Sequence, residues 1–138
     1  MELVIDVNVV LSSLLTKGDS FKVFALNNLF NKFNFVAPEF LLRELEKHKE
    51  EFLKRSKLSK QEFEEILEFL LEQITFIPKS EFSEFLPKAK TLLSKHLKDV
   101  PYLALALKLN CSIFSGDKTL RKLSPIEILS PKEMLSKF

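Results

Sequence analysis

Leu3-Val4-Ile5-Asp6-Val7-Asn8-Val9-Val10-Leu11-Ser12-Ser13-Leu14-Leu15 changes its period partway through. Leu3 to Ile5 is a short apolar run rich in β-branched residues, and it reads as a strand. After Asp6 the apolar side chains Val9, Val10, Leu14 and Leu15 return at helical spacing. A strand that stops at an acid and passes straight into a helix is the opening half of a β-α unit.

The same alternation continues to the end of the chain. Lys17-Gly18-Asp19-Ser20 is a turn with Asp19 or Ser20 as candidate N-cap, and Phe21, Phe24, Ala25 and Phe30 mark a second helix. Phe33 to Val36 reads as a second strand, ended by Ala37-Pro38. Beyond Glu39, Phe40, Leu41, Leu45 and Phe52 line one face of a charged helix, and Ser59 with Glu62 forms a capping box that opens the next helix. These two make a helical hairpin over about 38–74. Phe76-Ile77-Pro78 reads as a short strand, Ser83 to His96 as a helix, and Asp99-Val100-Pro101 as a helix start with Asp as N-cap and Pro in the first turn. Ser112 to Ser115 is a strand closed by Gly116-Asp117, Thr119 to Leu123 a helical turn, Ile126 to Leu129 a last strand and Pro131 to Phe138 a last helix. The pattern predicts an α/β fold, a parallel sheet covered on both faces, in one domain over 1–138.

Composition narrows the class. The chain has 138 residues, no internal repeat, 14 Phe, no Trp and one Tyr, so its aromatic content is core material rather than base-stacking surface. A single cysteine, Cys111, excludes an internal disulfide. The net charge of only +2 excludes a broad cationic surface for duplex DNA. No leader-like pattern opens the chain and no segment reaches the ~18 continuous apolar residues of a membrane span, so the expectation is a cytoplasmic protein with no membrane partner.

In open α/β sheets ligands sit beyond the carboxyl ends of the strands. The residues there are acids. Asp6 follows Leu3-Val4-Ile5, Asp117 follows Ile113-Phe114-Ser115-Gly116, Asp99 begins the helix leading into that later strand, and Glu44 lies in the first turns of the helix after strand two. Four carboxylates on one rim repel one another unless a cation neutralises them, and hard oxygen donors suit Mg²⁺ or Mn²⁺. An all-acid site without His or Cys points to phosphodiester chemistry. Asp is also the favoured helix N-cap, so each acid alone is a weak signal.

The chain resembles the PIN-domain family. The resemblance rests on Val4-Ile5-Asp6-Val7-Asn8-Val9-Val10, on Pro38 through Arg43-Glu44-Leu45, on Asp99-Val100-Pro101-Tyr102-Leu103-Ala104-Leu105-Ala106, and on Ile113-Phe114-Ser115-Gly116-Asp117-Lys118-Thr119-Leu120. It implies a three-layer α/β/α sandwich around a mainly parallel sheet of four or five strands, and a ribonuclease cutting single-stranded RNA with a divalent metal. It further implies that Asp6, Glu44, Asp99 and Asp117 bind the metal and that Asn8 and Ser115 support them. Many family members have another acid where Thr119 stands here, so the resemblance leaves Thr119 as a supporting hydroxyl and one acid fewer for a second metal ion. The resemblance extends to a toxin of the VapC type with an antitoxin partner, or an RNA-processing relative, and to a homodimer.

The remaining residues carry less. His48 and His96 have no companion ligand at a useful spacing, and Cys111 has no His or CxxC partner. Gly18 and Gly116 are the only glycines, so there is no Gly-rich phosphate loop. Lys118 reads as an ordinary exposed lysine. Two other classes use similar features: a non-catalytic scaffold binding RNA or protein, which needs no cluster of repelling acids, and a receiver-like phosphoacceptor, which needs adjacent acids after the first strand and a late strand-end Lys.

Overall fold

Five short strands pair in the order β3-β2-β1-β4-β5, all parallel, in a computed structural model that describes residues 1–138. They are β1 (Glu2–Ile5), β2 (Asn34–Pro38), β3 (Ile74–Ile77), β4 (Ser112–Phe114) and β5 (Ile128–Leu129). The helices are α1 (Val7–Leu15), α2 (Asp19–Phe30), α3 (Phe40–Ser56), α4 (Lys60–Glu72), α5 (Leu86–Leu93), α6 (Val100–Leu109), α7 (Lys118–Leu123) and α8 (Pro131–Leu135). The expected sandwich is present, with the sheet parallel throughout.

Burial explains the strand composition. Leu3, Val4 and Ile5 of β1 and Ile113 and Phe114 of β4 are almost wholly inaccessible, as a strand covered on both faces must be. Helix α6 lies against β1, β2 and β4, and its Ala104 and Ala106 let the backbone come close. Phe24 of α2 packs edge-on to Phe35 of β2, with ring centroids 5.2 Å apart, and also meets Phe114 of β4. Both helices that lead into central strands end on an Asn in the left-handed region, Asn31 before β2 and Asn110 before β4.

Several boundaries differ from the sequence reading. The helix expected from Ser83 to His96 is confined to Leu86–Leu93, preceded by short 3-10 turns. Pro87 explains this: it lacks an amide and its ring clashes with a preceding turn, so it belongs at the start of a helix and not in its interior. Strand β2 continues through Ala37 and Pro38, which pair with Phe76 and Ile77. The N-cap of α2 is Gly18, with Asp19 as the first helical residue. The capping box of Ser59 and Glu62 forms as expected, with Ser59 Oγ accepting from the Glu62 amide at 3.1 Å. No helix is long and apolar enough to cross a membrane.

The order of the strands places a topological switch between β1 and β4. From β1 the chain winds outward to β2 and β3, then returns through α5 and α6 to β4 and β5 on the other side. The crevice beyond the carboxyl ends of β1 and β4 is where such a sheet exposes its ligand site.

Candidate metal centre

Asp6 is the residue immediately after β1 and the N-cap of α1, and it is buried. Its amide donates to Phe114 O at 3.1 Å, tying the end of β1 to β4. Its Oδ2 is saturated, accepting from Ser115 Oγ at 2.7 Å and Asn8 Nδ2 at 3.1 Å. Its Oδ1 receives only the Asn8 amide, at 3.5 Å.

Asp117 repeats the arrangement at the end of β4. It caps α7, with Oδ1 accepting from the amides of Thr119 at 2.8 Å and Leu120 at 3.1 Å, which leaves Oδ2 without a partner. Ser115 joins the two acids: its hydroxyl donates to Asp6 and accepts from the Asp117 amide at 3.0 Å. Asn8 adds a second tie, its Oδ1 accepting from the Gly116 amide at 3.4 Å. Asp99 stands at the N-cap position of α6, but its backbone is already helical and its carboxylate makes no cap bond.

Oxygens of Asp6, Asp99 and Asp117 lie within 4.8 Å of one another. No Lys or Arg forms an ion pair with any of the three. Burial drives the Asp6 carboxyl up to about 7; the Ser115 hydrogen bond opposes that rise, and the charges of Asp99 and Asp117 add to it. Asp99 is pushed up to about 6, by burial first and by the charge of Asp117 second. A cluster of one buried and two partly buried carboxylates, with no ion-pair partner and with oxygens free or only weakly bonded, is the donor set of a hard divalent cation, so these residues could hold one.

The other site expectations fall at different distances from this group. Glu44 is buried on α3 but stands outside the three-acid cluster, and its polar neighbour is His48, Nε2 to Oε2 3.9 Å. Thr119 reaches Asp117 through its backbone amide. Two features escaped the sequence reading. His48, given no role there, sits one helical turn from Glu44, a spacing legible as i, i+4. Tyr102, the only Tyr in a chain with 14 Phe, is fully buried with a hydroxyl that has no hydrogen-bonding partner; the Val7 amide faces it without completing one. Burial raises its pKa, and the charges of Asp6, Glu44 and Asp99 raise it further, so this hydroxyl lies among the acids. Its singularity among phenylalanines was the available signal.

Comparison with known proteins agrees with this layout. No curated protein matches the sequence. Among solved structures, VapBC2 from Rickettsia felis bound to a DNA fragment from their promoter has a similar fold, with a TM-score of 0.71 at 13% identity over 94% of this chain and 98% of that one. The PIN domain family matches residues 4–125, a span that contains all four acids, the second half of β1 and the whole of β2, β3 and β4. The chain is therefore a member of the PIN domain family.

Proposed function

We propose that this protein is a Mg²⁺- or Mn²⁺-dependent endoribonuclease that hydrolyses phosphodiester bonds of single-stranded RNA. The observation that carries the proposal is the convergence of Asp6, Asp99 and Asp117 within 4.8 Å, without a basic partner, at the switch point of a parallel sheet. A divalent cation bound there supplies the positive charge that makes water nucleophilic near neutral pH and offsets charge building on the phosphate.

The chain's own residues do the positioning. Ser115 and Asn8 hold Asp6 through Oδ2, leaving Oδ1 with only the long Asn8 amide contact, and the amides of α7 hold Asp117 through Oδ1, leaving Oδ2 free. Glu44 would act as the fourth acid from outside the three-acid group. Thr119 would serve as a supporting group through its amide bond to Asp117. The site is thereby pre-organised for its ligands, and little rearrangement is left to binding.

The same reading makes the chain the toxin of a toxin-antitoxin pair, with an antitoxin protein and a second copy of itself as partners. An antitoxin that lays an Arg against the acids would inhibit, because the guanidinium fork matches carboxylate geometry. The test is cleavage of a labelled mixed pool of single-stranded RNA by the purified protein with Mg²⁺, with Mn²⁺ and with EDTA, beside Asp117→Asn. Metal-dependent cutting absent from the variant is expected; equal cutting by the variant, or cutting in EDTA, would refute the assignment. Light scattering on the eluted protein tests the homodimer.

A further inference from the structure

A cavity of about 410 Å³ opens beside the acids, bordered by Ser115 and Asp117 on one side and by the starts of α2 and α8 on the other. None of its lining side chains is aromatic or aliphatic apart from Pro131, so it offers no surface for stacking a base. Its cations are Lys118, Lys132 and Arg121. The Arg121 guanidinium is held by Glu133 in two bonds of 2.6 and 2.9 Å, whereas Lys118 and Lys132 make no ion pair.

The start of α2 faces the same space. Its N-cap is Gly18, which has no side chain to accept from the first turn, and the amides of Asp19 and Ser20 donate to nothing in the protein. Uncapped amides at the start of a 12-residue helix favour an anion. Asp19 lies on that turn and faces the cavity too, so charge alone does not define the site.

The glycines supply an independent observation. The chain has only two, Gly18 and Gly116, and both line this cavity. Neither has a positive φ, so neither conformation requires glycine. A Cβ on Gly18 would come no nearer than 3.5 Å to Thr16, and one on Gly116 no nearer than 3.9 Å to Pro131. The fold therefore has room for alanine at both places. What a bare backbone provides here is close approach by something that enters the cavity.

We infer that this cavity is the subsite for the nucleotide next to the scissile bond, which it holds by phosphate and ribose irrespective of the base. Phosphate meets Lys118, Lys132 and the first turn of α2, and the ribose lies against Gly18 and Gly116. The inference rests on the ribonuclease reading for its substrate, but binding can be measured without metal or cleavage.

The test is titration of ¹⁵N-labelled protein in EDTA with adenosine 3′,5′-bisphosphate and, separately, with uridine 3′,5′-bisphosphate. The amides of Gly18, Asp19, Ser20 and Gly116 should shift, and the two affinities should agree within about threefold because no stacking surface reads the base. Lys118→Ala with Lys132→Ala should weaken binding about tenfold through lost phosphate contacts. Gly18→Ala and Gly116→Ala should each weaken it about fivefold while the melting temperature holds or rises, since alanine restricts the unfolded chain. Undisturbed cavity amides, unaltered binding by the glycine variants, or an equal response to inorganic phosphate would overturn the inference. RNA cleavage without these shifts would overturn it alone; bisphosphate binding here without cleavage would support it and refute only the nuclease reading.

Discussion

Metal-free protein should become less stable as pH rises through neutrality, and Asp6→Asn should remove most of that loss. In the folded chain burial holds the Asp6 carboxyl at about 7 against an ordinary 3.8. The unfolded chain releases this proton near the ordinary value, so between roughly pH 4 and 7 the folded state binds more protons and stability falls as pH increases. At 1.36 kcal/mol per pH unit, the full rise corresponds to about 4 kcal/mol of destabilisation above neutrality. Asp99, half-buried and also raised, acts in the same direction.

Asparagine at position 6 keeps an acceptor for Ser115 and Asn8 and removes the charge, at a cost of about 1 kcal/mol for imperfect bonding. The variant should therefore be about 3 kcal/mol more stable than the parent at pH 8 in EDTA, and only about 0.5 kcal/mol more stable at pH 5. Urea unfolding at both pH values measures this directly; thermal melts at pH 8 should differ by about 10 °C for a chain of this length. A variant equally destabilised at pH 5 and pH 8 would refute the reasoning, because it would mean that Asp6 acts through its hydrogen bonds and not through buried charge.

Three further outcomes follow from the same geometry. Saturating Mn²⁺ at pH 8 should raise the stability of the parent by about 2.7 kcal/mol at a hundredfold excess over Kd, read by urea unfolding, and should do so far less for Asp99→Asn. Ser115→Ala, which breaks the tie between Asp6 and Asp117, should cost about 1–2 kcal/mol and lower RNA cleavage, whereas Ser115→Thr should restore both, as denaturation and single-turnover cleavage would show. Tyr102→Phe removes a buried hydroxyl that has no partner and should stabilise the metal-free protein by about 1 kcal/mol in calorimetry; a loss of stability would mean that the hydroxyl is bonded in solution.

What could be read from the sequence was local. Asp6 follows an apolar run directly and Asp117 follows one after Ser115-Gly116, and both stand there for one reason: an Asp at that junction caps the free amides in the first turn of the helix that begins. Asp99 was legible as an acid before Val100-Pro101, but its freedom from capping was not, because that depends on a backbone already turned helical at Asp99. The Ser115 bridge spans 109 residues of chain and belongs to the parallel pairing of β1 with β4, which no local pattern contains. Pro87 marked the true start of α5, and the helical spacing of the residues around it obscured that signal. Glu44 was legible as an acid in the first turns of the helix after β2; its pairing with His48 one turn on and its place outside the 4.8 Å group depend on how α3 packs.

The most direct test of the central claim is a crystal grown or soaked with Mn²⁺ and measured for anomalous scattering. A strong peak is expected about 2–2.5 Å from carboxylate oxygens of Asp6, Asp99 and Asp117. A fully soaked crystal with no peak among these three, or with its strongest peak at other residues, would contradict it.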